Sequence, residues 1–326
     1  MDRRDILKAG FGSLAAAAMG LPAPARAADW PTKPVRVVIP YAAGSATDLV
    51  PRTIFEQVGH QLGQSFVVEN RPGGGTTVAS QQVKQSEPDG HTILVHSNAI
   101  VTVPAIQANV PYDPVKDFSA ITPLGNVPLV LVVAPSKGMK TLKELVDKAK
   151  ARPGEINYAA AGIGTPPHLT MERFRLAAGF QGQLVPFKGA PEALTEVMTG
   201  RVDMYFCPIT PAIPLIKDGK VLALAVSSSK RATALPDVPT TVEAGVPDSD
   251  FDFWVGAFVP KKTPRDVVGK MHDQIAKAIA DPATTQKLAK LGVEQMIMTP
   301  EAFDARVAKE ADIAVKLAKA ANIQAQ

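Results

Sequence analysis

Residues 39–48 read IPYAAGSATD, and the folding of that stretch decides the architecture. Val35, Val37, Val38 and Ile39 lead into it as a buried strand, Pro40 ends the strand, and Asp48-Leu49-Val50 begins a helix. A glycine loop between strand and helix points unpaired backbone N–H groups outward, a setting that attracts anions. The helix is legible beyond the loop. Val50, Ile54, Val58 and Leu62 recur every four residues, as on one helical face. Pro51 is expected in its first turn, where a missing N–H removes no hydrogen bond, so the helix starts at about Thr47 or Asp48.

Working outward, short apolar runs at 35–40, 66–69 and 92–96 alternate with helical segments. A second series begins after Pro135. Thr141-Leu142-Lys143-Glu144 has the form of a capping box, and its helix stops at Pro153-Gly154. Then follow a strand at 156–161, a glycine loop, a helix at 168–178, a strand at 184–187, a helix at 191–199, and strands at 202–206 and 222–227. This alternation predicts an α/β protein with a largely parallel sheet. The last third reads as helices at 264–280, 284–291 and 300–321, with a short strand at 294–298. The second series also echoes the opening stretch. Tyr41-Ala42-Ala43-Gly44-Ser45 resembles Tyr158-Ala159-Ala160-Ala161-Gly162-Ile163-Gly164-Thr165, each after a strand and before a helix. Two such loops facing one another would make a two-jawed anion site in a cleft.

The first 27 residues read as an export signal. Asp2-Arg3-Arg4-Asp5-Ile6-Leu7-Lys8 resembles a twin-arginine motif, the apolar stretch 9–21 is shorter than the roughly 20 residues that span a bilayer, and Ala25-Arg26-Ala27 is a small-residue cleavage site. An ordinary Sec signal would leave the same mature chain, which is expected in the periplasm. The whole chain of 326 residues has 35 basic and 31 acidic side chains. Removing Arg3, Arg4, Lys8 and Arg26, with Asp2 and Asp5, leaves 31 against 29, too even a balance for a polyanion-binding surface. No basic run interleaved with aromatics supports nucleic-acid binding. A chain this long usually forms two domains. Cys207 is the single cysteine, so neither a disulfide framework nor a cysteine metal cluster is available, and the five histidines show no metal-ligand spacing. No metal or cofactor is expected.

The remaining motifs narrow the chemistry. Gly44 to Asp48 lacks the G-x-G-x-x-G spacing, and no Gly-Lys-Ser/Thr occurs, so neither nucleotide fingerprint is present. Arg71-Pro72-Gly73-Gly74-Gly75-Thr76 reads as a turn into the next helix. Ser45, Asp48 and His168 would be needed for a hydrolase triad, but the G-x-S-x-G elbow is missing and nothing orients a base on a serine. His168 follows Gly164-Thr165-Pro166-Pro167 and either donates to a ligand or satisfies a backbone group. Lys188 reads as a surface lysine, and Cys207 either as a small buried hydrophobe or as a group reaching the cleft.

In chain order, Trp30-Pro31-Thr32-Lys33-Pro34-Val35-Arg36, Pro40-Tyr41-Ala42-Ala43-Gly44 with Asp48, Val68-Glu69-Asn70-Arg71-Pro72-Gly73, Gly162-Ile163-Gly164-Thr165 with His168-Leu169, Val185-Pro186-Phe187-Lys188-Gly189, Gly200-Arg201-Val202-Asp203 and Leu235-Pro236-Asp237-Val238-Pro239-Thr240 form a series. That series resembles the substrate-binding proteins of the tripartite tricarboxylate transporters, the Bug-type periplasmic receptors. The resemblance implies a type II periplasmic-binding-protein fold: two α/β domains joined by two crossover segments, with a ligand cleft between them. The crossings would fall near Gly125-Asn126-Val127 and Phe251-Asp252-Phe253. Domain 1 would then comprise 28–126 and 254–326, and domain 2 would comprise 127–253.

By the same resemblance, the two glycine loops grip a carboxylate through backbone N–H groups and ordered waters. The candidate ligand-binding set is Tyr41, Ala43, Gly44, Ser45, Ala46, Thr47, Asp48, Ser97, Asn98, Gly162, Ile163, Gly164, Thr165, His168 and Cys207. The family usually has a second glycine where this chain has Ser45, a serine near Ala160, and an acidic or amide residue near Cys207. With Tyr41, Pro208 and Ile209, these departures suggest a more apolar distal pocket than citrate favours, suited to a longer or aromatic mono- or dicarboxylate. The expected role is a monomeric, non-enzymatic receptor that delivers a small di-, tri- or aromatic carboxylate to membrane transporter subunits. The alternatives are a ligand-sensing co-receptor for a membrane sensor kinase and a periplasmic hydrolase using Ser45.

Overall fold

The computed structural model describes residues 30–41, 43–160, 164–187, 189–321 and 323. The stretch read as an export signal, Gly162, Ile163 and Lys188 lie outside the described residues. The chain first lays down β1 (Val35–Ile39), α1 (Ala46–Leu62), β2 (Phe66–Asn70), α2 (Thr77–Lys84), β3 (Thr92–Ser97), α3 (Ala99–Ile106) and β4 (Phe118–Asn126). It then forms β5 (Leu129–Val133), α4 (Leu142–Ala151), β6 (Ile156–Ala160), α5 (Pro166–Ala178), β7 (Gly182–Pro186), α6 (Ala190–Met198), β8 (Met204–Pro208), α7 (Ile209–Lys217) and β9 (Leu222–Val226). The last elements are β10 (Trp254–Pro260), α8 (Arg265–Ala280), α9 (Pro282–Lys290) and α10 (Pro300–Ala320).

Two five-stranded sheets result, ordered β2-β1-β3-β10-β4 and β7-β6-β8-β5-β9. The strand most central to each jaw, β1 or β6, pairs in parallel on both sides. The sheets are mixed rather than largely parallel, because the strands beside the crossings run the other way. β10 is antiparallel to β3 and β4, and β5 is antiparallel to β8 and β9. These reversed strands follow passages between the sheets, so neither enters its sheet through a helical crossover on the same face.

The inner strands of each sheet are buried on both faces, which explains their nearly continuous apolar sequence, while the edge strands β2 and β7 are only partly buried. In β1, Val37 and Ile39 pack with Val50, Ile54, Val58 and Met271 of α1 and α8, while Val38 faces Val83, Ile100 and Phe303 of α2, α3 and α10. In β8, Met204 and Phe206 face Met171 and Phe174 of α5, while Tyr205 and Cys207 face Val197 and Ile209 of α6 and α7. The chain leaves the first sheet at Val127-Pro128 and returns through Phe251-Asp252-Phe253, and these crossings are bonded together: the Val127 N–H donates to the Phe253 carbonyl at 2.8 Å.

Two local expectations are corrected. α1 starts at Ala46, earlier than its apolar repeat suggests, which puts Pro51 in the second turn and leaves the Thr47 carbonyl without its i+4 N–H. Residues 294–298 form no strand. Glu294 makes only an isolated bridge, exchanging two 2.8 Å backbone bonds with Asn126, and its carboxylate is taken by Thr233. The Thr141–Glu144 capping box is present as read.

Candidate functional site

The ends of β1 and β6 each run into a glycine that only a flexible backbone permits. Gly44 has φ +82° and Gly164 has φ +76°. In each loop the next residue is the helix N-cap, with φ/ψ of −71°/160° at Ser45 and −70°/159° at Thr165. Four residues after each glycine, a buried side chain accepts its N–H. Asp48 Oδ2 takes the Gly44 N–H at 2.8 Å, and His168 Nδ1 takes the Gly164 N–H at 2.9 Å. The sequence echo is therefore a structural one: the same turn is built twice, locked by a carboxylate in the first loop and by an imidazole in the second.

The first jaw is braced from β2. Asn70 Nδ2 donates to the Tyr41 carbonyl at 2.9 Å and to Asp48 Oδ1 at 2.8 Å, and Arg52 Nε donates to the same carboxylate at 2.9 Å. Burial pulls the Asp48 carboxyl upward, but Arg52, the Gly44 N–H and Asn70 outweigh it and hold it below the usual carboxylate range. The Tyr41 hydroxyl lies 2.5 Å from Ser97 Oγ, which accepts the Ala99 N–H at 3.1 Å. Burial pushes the Tyr41 phenol up to about 12, so it stays neutral. Ala43 and Gly44 are left exposed at the tip, and Ser45 Oγ and Thr47 Oγ1 are 3.0 Å apart.

In the second jaw, burial lowers the His168 pKa, with Glu172 opposing that shift and Arg175 adding to it. Neutral His168 keeps Nδ1 as an acceptor. Behind it, buried Glu172 accepts hydrogen bonds from Tyr158 and from Arg175 Nε, the latter at 3.1 Å. The jaws differ as donors. α5 begins Pro166-Pro167, and neither proline has an N–H, whereas α1 begins Ala46-Thr47. The helix-start residues that carry N–H groups therefore lie mainly in the first loop. Ile106, at the end of α3, abuts the second: a Cβ built on Gly164 would lie 1.9 Å from Ile106 Cδ1.

Tyr41, Gly44, Ser45, Thr47 and Asp48 thus form one jaw, with Ser97 behind Tyr41, and Gly164, Thr165 and His168 belong to the other. Asp48 and His168 act as locks within the loops. Asn98 is turned to the return crossing, where its Nδ2 donates to the Asp252 carbonyl at 3.0 Å. Cys207 corrects its inclusion among ligand-facing groups. It is fully buried on the α6–α7 side of β8, and burial pushes its thiol well up. Asn70, Arg52 and Ile106 were not among the sequence candidates. The Asp48–Arg52 spacing of four along one helix was the signal for one of them.

Asp48 accepts from the Gly44 N–H, Arg52 and Asn70, and His168 Nδ1 accepts from the Gly164 N–H, so both side chains are engaged within their own loops. Among the described residues no group of three or more His, Cys, Asp or Glu could hold a metal ion, and no helix is long and apolar enough to cross a membrane.

A family model described as the tripartite tricarboxylate transporter family receptor matches residues 50–322. BugT of Bordetella pertussis is 30% identical over 296 residues, covering 90% of this chain and 91% of that protein. An R. palustris protein solved with adipate is 31% identical with a TM-score of 0.80, covering 91% of this chain and all of the other. MatC of Rhodopseudomonas palustris, solved with bound malate, is 30% identical with a TM-score of 0.73, covering 88% and 99%.

Proposed function

This chain belongs to the tripartite tricarboxylate transporter receptor family, whose members are binding receptors rather than enzymes, and on that premise we propose that its jaws close on one end of a small dicarboxylate. The observation that carries the proposal is the duplicated glycine turn, Gly44 with Asp48 and Gly164 with His168, at the ends of β1 and β6. Backbone N–H groups at the start of α1 meet the carboxylate from one side, and the Gly164–Thr165 turn meets it from the other. Malate in one relative and adipate in another support an aliphatic diacid over citrate. The closing bodies are residues 28–126 with 254–326, and residues 127–253. The exported monomer works in the periplasm and hands its ligand to a tripartite-type membrane transporter.

A thermal-shift screen of residues 28–326 tests this against C4 to C8 diacids, citrate, acidic amino acids and benzoate- and phthalate-type acids. A diacid present at 100 times its dissociation constant is expected to stabilise the native state by about 2.7 kcal/mol and to be recovered unchanged. A protein that none of these acids stabilises, and that releases no carboxylate on unfolding, overturns the reading. Tighter binding of citrate than of every diacid overturns the ligand class.

A further inference from the structure

Residues 291–294, which join α9 to α10, belong by sequence to the first of the two closing bodies, or lobes, yet they are bonded to both. On the first-lobe side Glu294 exchanges backbone hydrogen bonds with Asn126, the last residue of β4, so the segment lies alongside the outgoing crossing. Val293 is buried against the same strand: a Cβ built on Gly125 would lie 2.5 Å from Val293 Cγ1. On the second-lobe side the segment is held at two places. The Leu291 carbonyl accepts the Thr210 hydroxyl in the first turn of α7, and a Cβ built on Gly292 would lie 2.8 Å from Ile209 Cγ2. The Glu294 carboxylate accepts the Thr233 N–H at 2.6 Å and the Thr233 hydroxyl at 2.9 Å, so both of its oxygens are used, by the loop that follows β9.

The backbone of Glu294 is fixed to the residue at which the chain begins to cross, whereas Thr210 and Thr233 travel with the second sheet. Rotation about 127–128 and 251–253 therefore moves Thr233 relative to the carboxylate that holds it. A hydrogen bond weakens steeply outside a narrow range of distance and angle, so a hinge motion that parts the lobes breaks this one. The bond is charge-assisted, and so stronger than a neutral pair. The same arrangement of the lobes sets Ile106 of α3 against Gly164 of the second jaw.

We propose that residues 291–294 form a latch that holds the second lobe near its closed position before any ligand arrives, with Glu294 as the positioning residue. The latch rests on the two-lobe receptor reading. It acts on the cleft from outside it. A larger fraction of ligand-free protein in the binding-competent arrangement raises the apparent affinity in proportion.

Small-angle scattering of the ligand-free mature protein tests the latch, with denaturant melting as the control for folding. Glu294→Ala keeps the backbone pairing with Asn126 and should enlarge the radius of gyration. Glu294→Gln should not, because its amide oxygen accepts the Thr233 N–H and its NH2 donates to Thr233 Oγ1. Thr233→Ala, on the other lobe, should enlarge the radius less. The double variant should be no larger than Glu294→Ala alone, since both act through one contact. Calorimetry with malate and adipate then reads the coupling: whichever binds should bind Glu294→Ala about fivefold more weakly, the worth of about one net hydrogen bond. An unchanged radius in Glu294→Ala, equal expansion in Glu294→Gln, or expansion with unaltered affinity for a diacid that the wild type binds overturns the proposal. Failure of both acids to bind counts against the ligand class and leaves the scattering comparison decisive, so the two readings fail separately.

Discussion

Gly44 and Gly164 share a backbone conformation but not an environment, so the same substitution separates strain from steric block. A Cβ at Gly44 meets nothing within 4 Å, whereas one at Gly164 runs into Ile106. Gly44→Ala is expected to cost about 1–2 kcal/mol of stability through its left-handed φ alone, read from denaturant midpoints. Gly164→Ala adds a wedge between the lobes and should weaken ligand binding at least about tenfold by calorimetry. Adding Ile106→Ala should restore most of that loss; no restoration would mean that the contact is unrelated to closure. Asp48→Asn should cost about 1.5–3 kcal/mol by removing a charge-assisted acceptor from Arg52 and Gly44. The Asp48 carboxyl is depressed, so its contribution is present above the ordinary carboxylate pKa and is lost only as pH falls through the lower folded value. A denaturation series from pH 8 to 5 should show no change from this group.

At the scale of elements, α4, α9 and α10 begin at a side-chain N-cap, supplied by Thr141, Asp281 and Thr299. Thr141 Oγ1 accepts the Glu144 N–H at 3.2 Å, and the Glu144 carboxylate returns to the Lys140 and Thr141 N–H groups. Thr141→Ala should therefore cost about 1 kcal/mol, measured as a shift of the thermal midpoint with ligand affinity unchanged. The two jaw helices should respond differently to acid. Protonating His168 turns Nδ1 from acceptor to donor and releases the Gly164 N–H, whereas Asp48 keeps its role. Glu172 and Arg175 act on His168 with opposite signs, and burial dominates in keeping it neutral. Ligand affinity should fall as pH drops below the ordinary histidine range and through the lowered His168 value. His168→Asn, if it holds the turn, should flatten that profile.

For the whole molecule, the pH dependence of stability has a further source in β3. His96 is fully buried, and burial brings its pKa down to about 4 despite its bond to the Ser97 carbonyl. Between an unfolded value of about 6.5 and that folded value, the unfolded chain binds the extra proton, so stability falls as pH is lowered through this window. The loss approaches about 3 kcal/mol and levels off below pH 4 as far as this group is concerned. A His96→Gln variant that keeps the full wild-type slope would refute the assignment. Closure should also be visible as a smaller radius of gyration on adding the screened ligand, with the crossings at 127–128 and 251–253 as the bending segments.

The sequence by itself determined the alternation of strand and helix, the positions of β1, β2, β3, β6 and β9 to within a residue or two, the Thr141 cap, and both jaw loops. Those features are written in local terms: apolar periodicity, a glycine between strand and helix, a hydroxyl three residues before a carboxylate. Tertiary structure alone decided the rest. The antiparallel direction of β5 and β10 depends on which sheet the chain enters after crossing, and no local pattern encodes that. Cys207 faces core because β8 is buried on both sides, which removes the alternation that would have told its faces apart. Asn70 and Ile106 meet the jaws across 22 or more residues of chain, so their roles exist only once the sheets have brought separate helices and loops together.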